Sequence, residues 1–246
     1  SEQARERFGV HPRMNCPAIE AADAMNERII EIRDEGDSSG GVVEVVATGV
    51  PPGMGEPVFE KLEGELGRMM AIGTIKAVEI GDGVGQAHRP GTRVHDPIVR
   101  DEGKARAGGL GRSTNRAGGL EGGITTGEPL IVRGYMKPIA TLRNRLPSVD
   151  LRDGSEADAA TERSDVCAVP AAGVIGEAMV ALVVADAFLE KFGGDSIEEI
   201  RRNFDGYLDY LKERGWGERP LPARADASAA DTSAVDAPRA DAPRAG

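Results

Sequence analysis

The segment from Glu162 to Phe192 reads ERSDVCAVPAAGVIGEAMVALVVADAFLEKF and contains the strongest helix signal in the chain. Apolar residues recur there at alternating spacings of four and three, which is typical of one face of a helix. They are Ala171, Ile175, Ala178, Leu182, Ala185, Leu189 and Phe192. The pair Gly193-Gly194 is a helix-ending signal. The pattern predicts a long helix with this stripe towards the core.

Three further helices are predicted around this segment. Ser196 and Glu199 have the spacing of a capping box at the start of a downstream helix. The apolar face of that helix consists of Ile197, Ile200, Phe204, Tyr207 and Leu211. Upstream, one helix between Pro17 and Gly36 is indicated by Ala18, Ala22, Met25, Ile29 and Ile32, and another that opens at Pro57 by Val58, Leu62, Leu66 and Met69.

Runs of β-branched and other apolar residues predict strands at 41–50, 74–80 and 130–137. The residues from Asp82 to about Asn115 are polar, with scattered glycine and arginine, which indicates a long loop or a hairpin arm. These strands are too few for a barrel and do not alternate with helices as in a doubly wound sheet. The sequence therefore predicts an α+β fold.

The net charge, the apolar runs and the cysteines argue against several classes of protein. The 246 residues carry 41 acidic and 30 basic side chains, for a net charge of −11. A negative field disfavours nonspecific binding to nucleic acid or to an anionic membrane. No uninterrupted apolar run approaches the roughly eighteen residues of a membrane span, and no signal-peptide pattern is present. Because Cys16 and Cys167 form no CxxC pair, we expect a reducing compartment and a soluble cytoplasmic protein.

The last part of the chain has a different composition. From Glu218 onward it contains no aromatic residue, and the pentad DAPRA occurs twice. Few large apolar groups are present to offset the entropy of ordering, so this part is predicted to be a disordered tail. The predicted organisation is one domain at residues 1–217 and a low-complexity tail at residues 218–246.

A glycine-rich run, AGGLEGGITTGEP, contains Gly118, Gly119, Gly122, Gly123 and Gly127. Clustered glycines let the backbone approach a flat or anionic ligand closely. The run does not follow the GxGxxG pattern at the start of a helix, so a dinucleotide-binding interpretation fails. Taken alone, the run is better explained by a hairpin with glycine bulges.

Two charged segments suit an anionic ligand. Lys137-Pro138-Ile139-Ala140-Thr141 places a lysine beside a rigid turn, although most exposed lysines are only solvated. Arg163 and Asp165 project to the same side of an extended chain, where arginine can clamp a phosphate and aspartate can accept a proton. A surface ion pair between Arg163 and Asp165 is the commoner alternative.

No metal centre is predicted, because the histidines and cysteines lack metal-ligand spacing. These histidines are His11, His88 and His95, and solvated surface positions are their default interpretation. Gly73 and Thr74, at the head of a predicted strand, carry no chemical information by themselves.

Together these segments resemble the chorismate synthase family. The resemblance runs from about Arg13 to Leu211 and includes RMNCP, GDSSGGVVEVVATGVPPGMGEP, RAGGLEGG, MKPIATL and the highly specific ERSDVCAVPAAGVIGEAM. It implies a β-α-β sandwich with helices between antiparallel sheets. It also implies a lyase that uses reduced FMN to remove phosphate from 5-enolpyruvylshikimate 3-phosphate by 1,4-elimination. The product, chorismate, belongs to the shikimate pathway of aromatic amino acid biosynthesis.

The resemblance also assigns roles to residues. It implies that Asp165 is catalytic and takes up a proton beside the flavin. It implies FMN contacts from Gly73, Thr74, Gly122, Lys137, Pro138, Ile139, Ala140, Thr141 and Arg163, with Arg163 at the phosphates of cofactor and substrate. We expect the glycine run, the lysine turn and the Arg-x-Asp pair to converge around one flavin.

The implied partners are a phosphorylated small-molecule substrate and further copies in a cytoplasmic homotetramer, with neither nucleic acid nor membrane. NADP is also associated with the family. No match is found for the family's N-terminal GESHG motif, its substrate-binding arginines, its serine-rich helix start or its two proton-donating histidines. We therefore expect a partial flavin site, low solubility and no turnover by this chain alone. A noncatalytic flavin- or phosphate-binding module, an inactive fragment and an interaction protein remain as alternatives.

Overall fold

The computed structural model describes residues 14–101, 103–104 and 108–214. The helices are α1 (Ile19–Asp34), α2 (Leu62–Leu66), α3 (Val169–Phe192) and α4 (Ile197–Arg214), with 3₁₀ helices at Gly67–Ala71, Gly83–His88 and Gly91–Arg93. The strands are β1 (Gly41–Ala47), β2 (Ile75–Ile80), β3 (Ile98–Arg100), β4 (Leu110–Arg112), β5 (Leu120–Glu121), β6 (Ile124–Thr125), β7 (Leu130–Met136), β8 (Pro147–Val149) and β9 (Glu156–Asp158). The predicted tail at 218–246 lies outside the described residues.

A three-stranded antiparallel sheet with the order β1-β7-β2 forms the centre of the fold. In the middle strand, Val132 lies opposite Val45 of β1 and Ile80 of β2. The side chains of β7 alternate between buried and half-buried positions, as expected when one face of a sheet covers a core. The three predicted strands are confirmed, with slightly shorter ends.

α3 packs against one face of this sheet, and glycines allow a close approach. Its buried residues are Ala172, Gly176, Val180, Ala187 and Phe192. A Cβ atom on Gly176 would lie 3.1 Å from Met69 Cε and 3.4 Å from Val45 Cγ2. A Cβ atom on Gly134 of β7 would lie 3.0 Å from the same Met69 methyl. The side chain of Met69 therefore fills the space between helix and sheet.

The orientation predicted for α3 is wrong. Ile175, Leu182 and Leu189 are 49%, 71% and 50% exposed, and Phe192 is the one buried member of the predicted stripe. α3 is apolar around most of its circumference, so its periodicity does not identify the side that faces the sheet. Small residues such as Ala172 and Gly176 occupy the inner side because they permit a shorter distance between helix and strands.

By length and composition, α3 could cross a membrane, although Glu177 and Asp186 interrupt its apolar sequence. The core helix of a soluble protein passes the same test, and α3 has one side packed against β1. The composition of α3 is therefore weak evidence for a membrane span.

An aromatic cluster joins α4 to the C-terminal half of α3. The ring centroids of Phe188, Phe192 and Phe204 lie 4.8 to 5.2 Å apart, and the Tyr207 ring lies 5.4 Å from Phe192. The Tyr207 hydroxyl donates a hydrogen bond of 2.9 Å to the carbonyl of Pro52. This contact ties α4 to the turn that follows β1.

The capping box predicted for α4 is confirmed for its Ser196 bond, whereas the Glu199 carboxylate bonds the residue before Ser196. The amide of Glu199 donates to Ser196 Oγ at 3.2 Å, and the amide of Asp195 donates to the Glu199 carboxylate at 2.7 Å. The first bond satisfies an amide of the first helical turn, and the second fixes the backbone just before the helix.

The helix predicted to open at Pro57 begins later, at Leu62. The Glu56 carboxylate accepts hydrogen bonds of 3.0 Å from the amides of both Val58 and Phe59, and these bonds favour a turn over a helix. Val58 and Phe59 are accordingly 62% and 92% exposed. The predicted apolar positions Leu62, Leu66 and Met69 are nevertheless buried.

The predicted α+β class is confirmed. Besides the central sheet, the described residues form two-stranded antiparallel sheets from β3–β4, β5–β6 and β8–β9. The irregular region expected from Asp82 to Asn115 contains short 3₁₀ helices and the β3–β4 hairpin.

The close contact between α3 and the sheet can be tested with two glycines of α3. Gly176→Val should lower the free energy of unfolding by about 1–3 kcal/mol, because the added methyl groups overpack the space beside Met69. Gly173→Val is the matched control, since a Cβ atom there meets nothing within 4 Å, and it should cost less than about 0.5 kcal/mol. Urea denaturation followed by circular dichroism measures both variants. Equal losses of stability in the two variants would contradict the close contact at Gly176.

Candidate functional site

Segments that are distant in the sequence meet at the end of the central sheet where β7 ends. The antiparallel register places Ile75 opposite Met136, so Thr74 and Lys137, which continue these strands, are neighbours. The amide of Lys137 donates a hydrogen bond of 2.9 Å to the carbonyl of Thr74. We call the group of Thr74, Lys137–Thr141 and Arg163–Asp165 the sheet-end site.

The β8–β9 hairpin brings the Arg163–Asp165 segment to the lysine turn. At the base of the hairpin, the amide of Ala159 donates to the carbonyl of Leu146 at 2.9 Å. Beyond this base, Ser164 Oγ donates to the carbonyl of Thr141 at 3.3 Å. The chain therefore leaves the sheet-end site after Thr141 and returns to it before α3.

Ser38 and Ser39 hold the two segments in place. Ser38 is 9% exposed, and its Oγ donates a hydrogen bond of 2.6 Å to the carbonyl of Ile139. The amide of Ser39 donates to the carbonyl of Val166 at 2.8 Å. One short stretch before β1 is thus bonded to both the lysine turn and the segment that contains Asp165.

Gly40 permits this arrangement because its backbone touches the end of β7. A Cβ atom on Gly40 would lie 2.2 Å from Met136 O and 3.0 Å from Pro138 N. The distance to Met136 O is too short for any residue except glycine. The sequence interpretation did not single out residues 38–40. The available signal was GDSSGG, a string of turn-forming and hydrogen-bonding residues directly before a β-branched strand.

The charged side chains of the sheet-end site are directed to solvent. Lys137, Arg163 and Asp165 are all exposed. In residues 14–101, 103–104 and 108–214, none of the three forms an ion pair or a side-chain hydrogen bond. The alternative of a surface ion pair between Arg163 and Asp165 therefore does not hold. Cations without partners can bind an anion without first breaking an internal salt bridge.

Thr74 combines two unusual features. Its φ is +69°, a conformation that is rare for a β-branched residue. Its Oγ1 atom is buried and has no hydrogen-bond partner among the described residues. Backbone strain and an unsatisfied hydroxyl at one residue are features of positions that contact ligands.

The remaining predicted residues of this region surround Thr74 and Lys137. Gly73, Pro138 and Ala140 are exposed, whereas Ile139 and Thr141 are half-buried. The first turn of α3 also lies at this end of the sheet. Its N-cap residue, Ala168, has no polar side chain that could bond the first helical amides. Helix N-terminal amides attract anions.

Gly122 does not join the sheet-end site. It lies in the turn between β5 and β6, and this hairpin is attached to the opposite end of β7, where the Ile131 amide donates to the carbonyl of Gly118. At about 3.3 Å per residue, the length of β7 separates Gly122 from Lys137. The expected convergence of both in one pocket of a single chain is therefore wrong. The glycines of the run have positive φ values, which the hairpin itself requires.

Asp96 organises the loop that leads into the glycine run, and the sequence interpretation missed it. Asp96 is 9% exposed. The carboxylate accepts hydrogen bonds from Thr114 Oγ1 and from the amides of Arg116 and Ala117. Burial raises the pKa of Asp96, but these hydrogen bonds outweigh burial, so its pKa lies below the ordinary value. No local pattern in the sequence revealed these partners.

The role of Asp96 can be tested by its pH dependence. Asp96→Asn should lower the free energy of unfolding by about 1–3 kcal/mol at neutral pH, because the amide nitrogen cannot accept a hydrogen bond. Since the folded-state pKa lies below the ordinary 3.8, this stabilisation is fully present above that value and is lost as the pH falls through the folded-state pKa. The difference between parent and variant should therefore shrink in strong acid.

Urea denaturation at neutral and acidic pH measures this difference. Asp205→Asn is the control, because Asp205 is exposed on α4. A stability difference for Asp96→Asn that did not change with pH would contradict the account.

Gly40→Ala tests the packing beneath the lysine turn. It should lower the free energy of unfolding by more than about 1 kcal/mol, because the new methyl group meets the backbone of Met136 and Pro138. Gly67→Ala is the control: the φ of Gly67 is −58°, and a Cβ atom there meets nothing within 4 Å. Denaturation of both variants in urea gives the comparison, and similar stabilities would rule out the tight contact.

Comparison with known proteins identifies relatives of this chain. The chorismate synthase family model matches residues 4–189. A chorismate synthase of Geobacter metallireducens is 53% identical over 199 residues, which are 78% of this chain and 51% of the relative. A chorismate synthase of a Nocardioides species is 52% identical over 204 residues, which are 82% of this chain and 51% of the relative.

A solved structure described as the crystal structure of chorismate synthase is also similar. It superposes with a TM-score of 0.66 and 39% sequence identity, over 83% of this chain and 53% of that chain. The chain spans about half the length of the curated relatives that it matches. The extent of the family match and the identity to these relatives show that the chain belongs to the chorismate synthase family.

Proposed function

We propose that this chain forms part of an FMN-dependent lyase that removes phosphate from 5-enolpyruvylshikimate 3-phosphate by 1,4-elimination and yields chorismate. Membership of the family supports the lyase class. The observation that carries the proposal is the sheet-end site, where Thr74, Lys137 and the Arg163–Asp165 segment meet at the end of β7.

The residues of the sheet-end site fit reduced FMN. Lys137 and Arg163 are exposed cations without ion-pair partners in the described residues, and such cations suit phosphate groups. The buried Oγ1 atom of Thr74 lacks a hydrogen-bond partner there and can bond to a polar edge of a flavin ring. Bound reduced FMN would lend electron density while the carbon–oxygen bond breaks and recover it afterwards.

Asp165 is assigned the role of proton acceptor in this proposal. The 1,4-elimination releases a proton as well as phosphate, so the site needs a base. Asp165 is exposed and is held beside the lysine turn by its neighbour Ser164. Arg163, two residues earlier, would hold a phosphate of cofactor or substrate. Arg163 and Asp165 thus receive complementary roles, one in binding phosphate and the other in accepting the proton.

Gly122 lies at the far end of β7 from this site. An FMN contact from Gly122 would therefore involve a neighbouring copy of the chain, in agreement with the homotetramer that we propose. The substrate partner in this proposal is a phosphorylated small molecule, and the proposed location is the cytoplasm.

A noncatalytic flavin- or phosphate-binding module is the second candidate. The observation that favours it is the length of the match, since the chain spans about half of its relatives. The two candidates share the sheet-end site and differ only in turnover.

Titration with FMN tests the site that both candidates share. The isolated chain should bind FMN with micromolar affinity, and Arg163→Ala should weaken binding by at least about tenfold, because a charge-assisted hydrogen bond to phosphate is lost. Quenching of flavin fluorescence gives the dissociation constants. Arg201→Ala removes an exposed arginine on α4 and should leave the affinity unchanged.

Equal weakening by the two variants, or no binding by the parent chain, would contradict the proposed site. An assay of chorismate formation with reduced FMN then separates the candidates. We expect no turnover by this chain alone. Robust turnover would show that the residues of this chain suffice for catalysis, and it would exclude the noncatalytic module.

A further inference from the structure

The loop between α1 and β1 is anchored at both ends. At its start, the amide of Gly36 donates to the carbonyl of Arg33 at 3.0 Å. The amide of Asp37 donates to the carbonyl of Ile32, also at 3.0 Å, which completes a Schellman motif at the end of α1. Gly36 has the positive φ, +77°, that this motif requires. At its other end the loop leads directly into β1. We call residues 35–39 the brace, because a helix and a sheet fix its position.

The chain that follows the lysine turn is bonded to the start of the brace. The amides of Arg143 and Asn144 both donate to the carbonyl of Gly36 at 3.1 Å. In addition, Asn144 Nδ2 donates to the carbonyl of Glu35 at 2.6 Å. These bonds fix the far end of the lysine turn, while the pairing of β7 with β2 fixes its beginning at Lys137. Both ends of the turn are therefore held.

Ser38 supplies a side-chain hydrogen bond to the middle of the lysine turn. Its buried Oγ donates to the carbonyl of Ile139 at 2.6 Å. Ser38 is itself fixed, because its amide donates to Asp37 Oδ1 at 2.7 Å and the amide of Ser39 donates to the carbonyl of Val166 at 2.8 Å. Water has little access to a buried position, so removal of Oγ would leave the carbonyl of Ile139 without this donor.

We propose that Ser38 is a positioning residue for Lys137 in the binding of the phosphate group of FMN. Lys137 is exposed and has no ion-pair partner in the described residues, so the backbone of its turn determines which region its ammonium group can reach. Ser38 Oγ holds this backbone two residues after Lys137. The inference rests on the proposed function, because it concerns the anion that Lys137 binds there.

Titration with FMN tests the proposal in the parent 246-residue chain, in Ser38→Ala, in Lys137→Ala and in the double variant. Ser38→Ala should weaken FMN binding by at least about fivefold, because the lysine turn loses a buried hydrogen bond. Lys137→Ala should weaken it by at least about tenfold. Since Ser38 acts through Lys137, the double variant should bind FMN no more than about twofold more weakly than Lys137→Ala alone. A merely structural role of Ser38 would give additive losses instead.

Ser155→Ala is the matched control. The Ser155 hydroxyl donates to Asp153 Oδ1 at 2.7 Å in the exposed turn between β8 and β9. Loss of this hydroxyl should leave the FMN affinity unchanged. Urea denaturation and circular dichroism check that every variant is folded under the conditions of the titration.

Amide hydrogen exchange without ligand separates this inference from the proposed function. In Ser38→Ala the amides of Arg143 and Asn144 should exchange at least about tenfold faster than in the parent, with Val132 unchanged. No FMN binding by the parent would contradict the proposed function, and the exchange rates would then decide whether Ser38 fixes the lysine turn. Unchanged exchange of Arg143 and Asn144 would overturn the role of Ser38. Equal FMN affinity of Ser38→Ala and the parent, or additive losses in the double variant, would overturn it while the proposed function stands.

Discussion

The antiparallel pairing of β7 with both β1 and β2 is the constraint on which the rest of the structure depends. It places the start of β2 and the end of β7 side by side, so Thr74 and Lys137 become neighbours although they are far apart in the sequence. The same register brings Gly41 of β1 opposite Met136, which positions Ser38 and Ser39 against the lysine turn and the Asp165 segment. A shift by one residue would reverse the faces of every side chain in β7 and separate these groups.

The packing of α3 on this sheet decides which of its residues are buried and which are exposed. Gly176 and Gly134 lie on either side of the Met69 methyl group, so helix and sheet approach closely on one side. Because small residues of α3 face the sheet, its larger residues Ile175, Leu182 and Leu189 lie on the exposed side. The exposed apolar face of α3 therefore follows from the close approach of helix and sheet.

Periodicity in the sequence predicted the elements well, because helices and strands are determined largely by local patterns. It did not predict the orientation of α3. This helix has apolar residues on all sides, so no polar face identifies the side that points to solvent. The late start of α2 depends on hydrogen bonds from Glu56, which the apolar spacing of Leu62 and Leu66 does not reveal. For the site, the charged residues of the sequence indicated Lys137 and the Arg163–Asp165 pair, and the family resemblance added Thr74 and grouped Gly122 with them. The resemblance contains no information on which end of β7 each residue occupies. Ser38 and Asp96 were missed because their partners are distant in the sequence.

The central claim is that the sheet fixes the site, so that both form one cooperative unit. Backbone amide hydrogen exchange, followed residue by residue by NMR, tests it most directly. The account predicts that the amides of Lys137 and Ser39, which are bonded to Thr74 and Val166, exchange within about tenfold of the rate of Val132 in the middle of β7. Exchange of Lys137 and Ser39 at the rate of an unstructured peptide, with Val132 still protected, would contradict it.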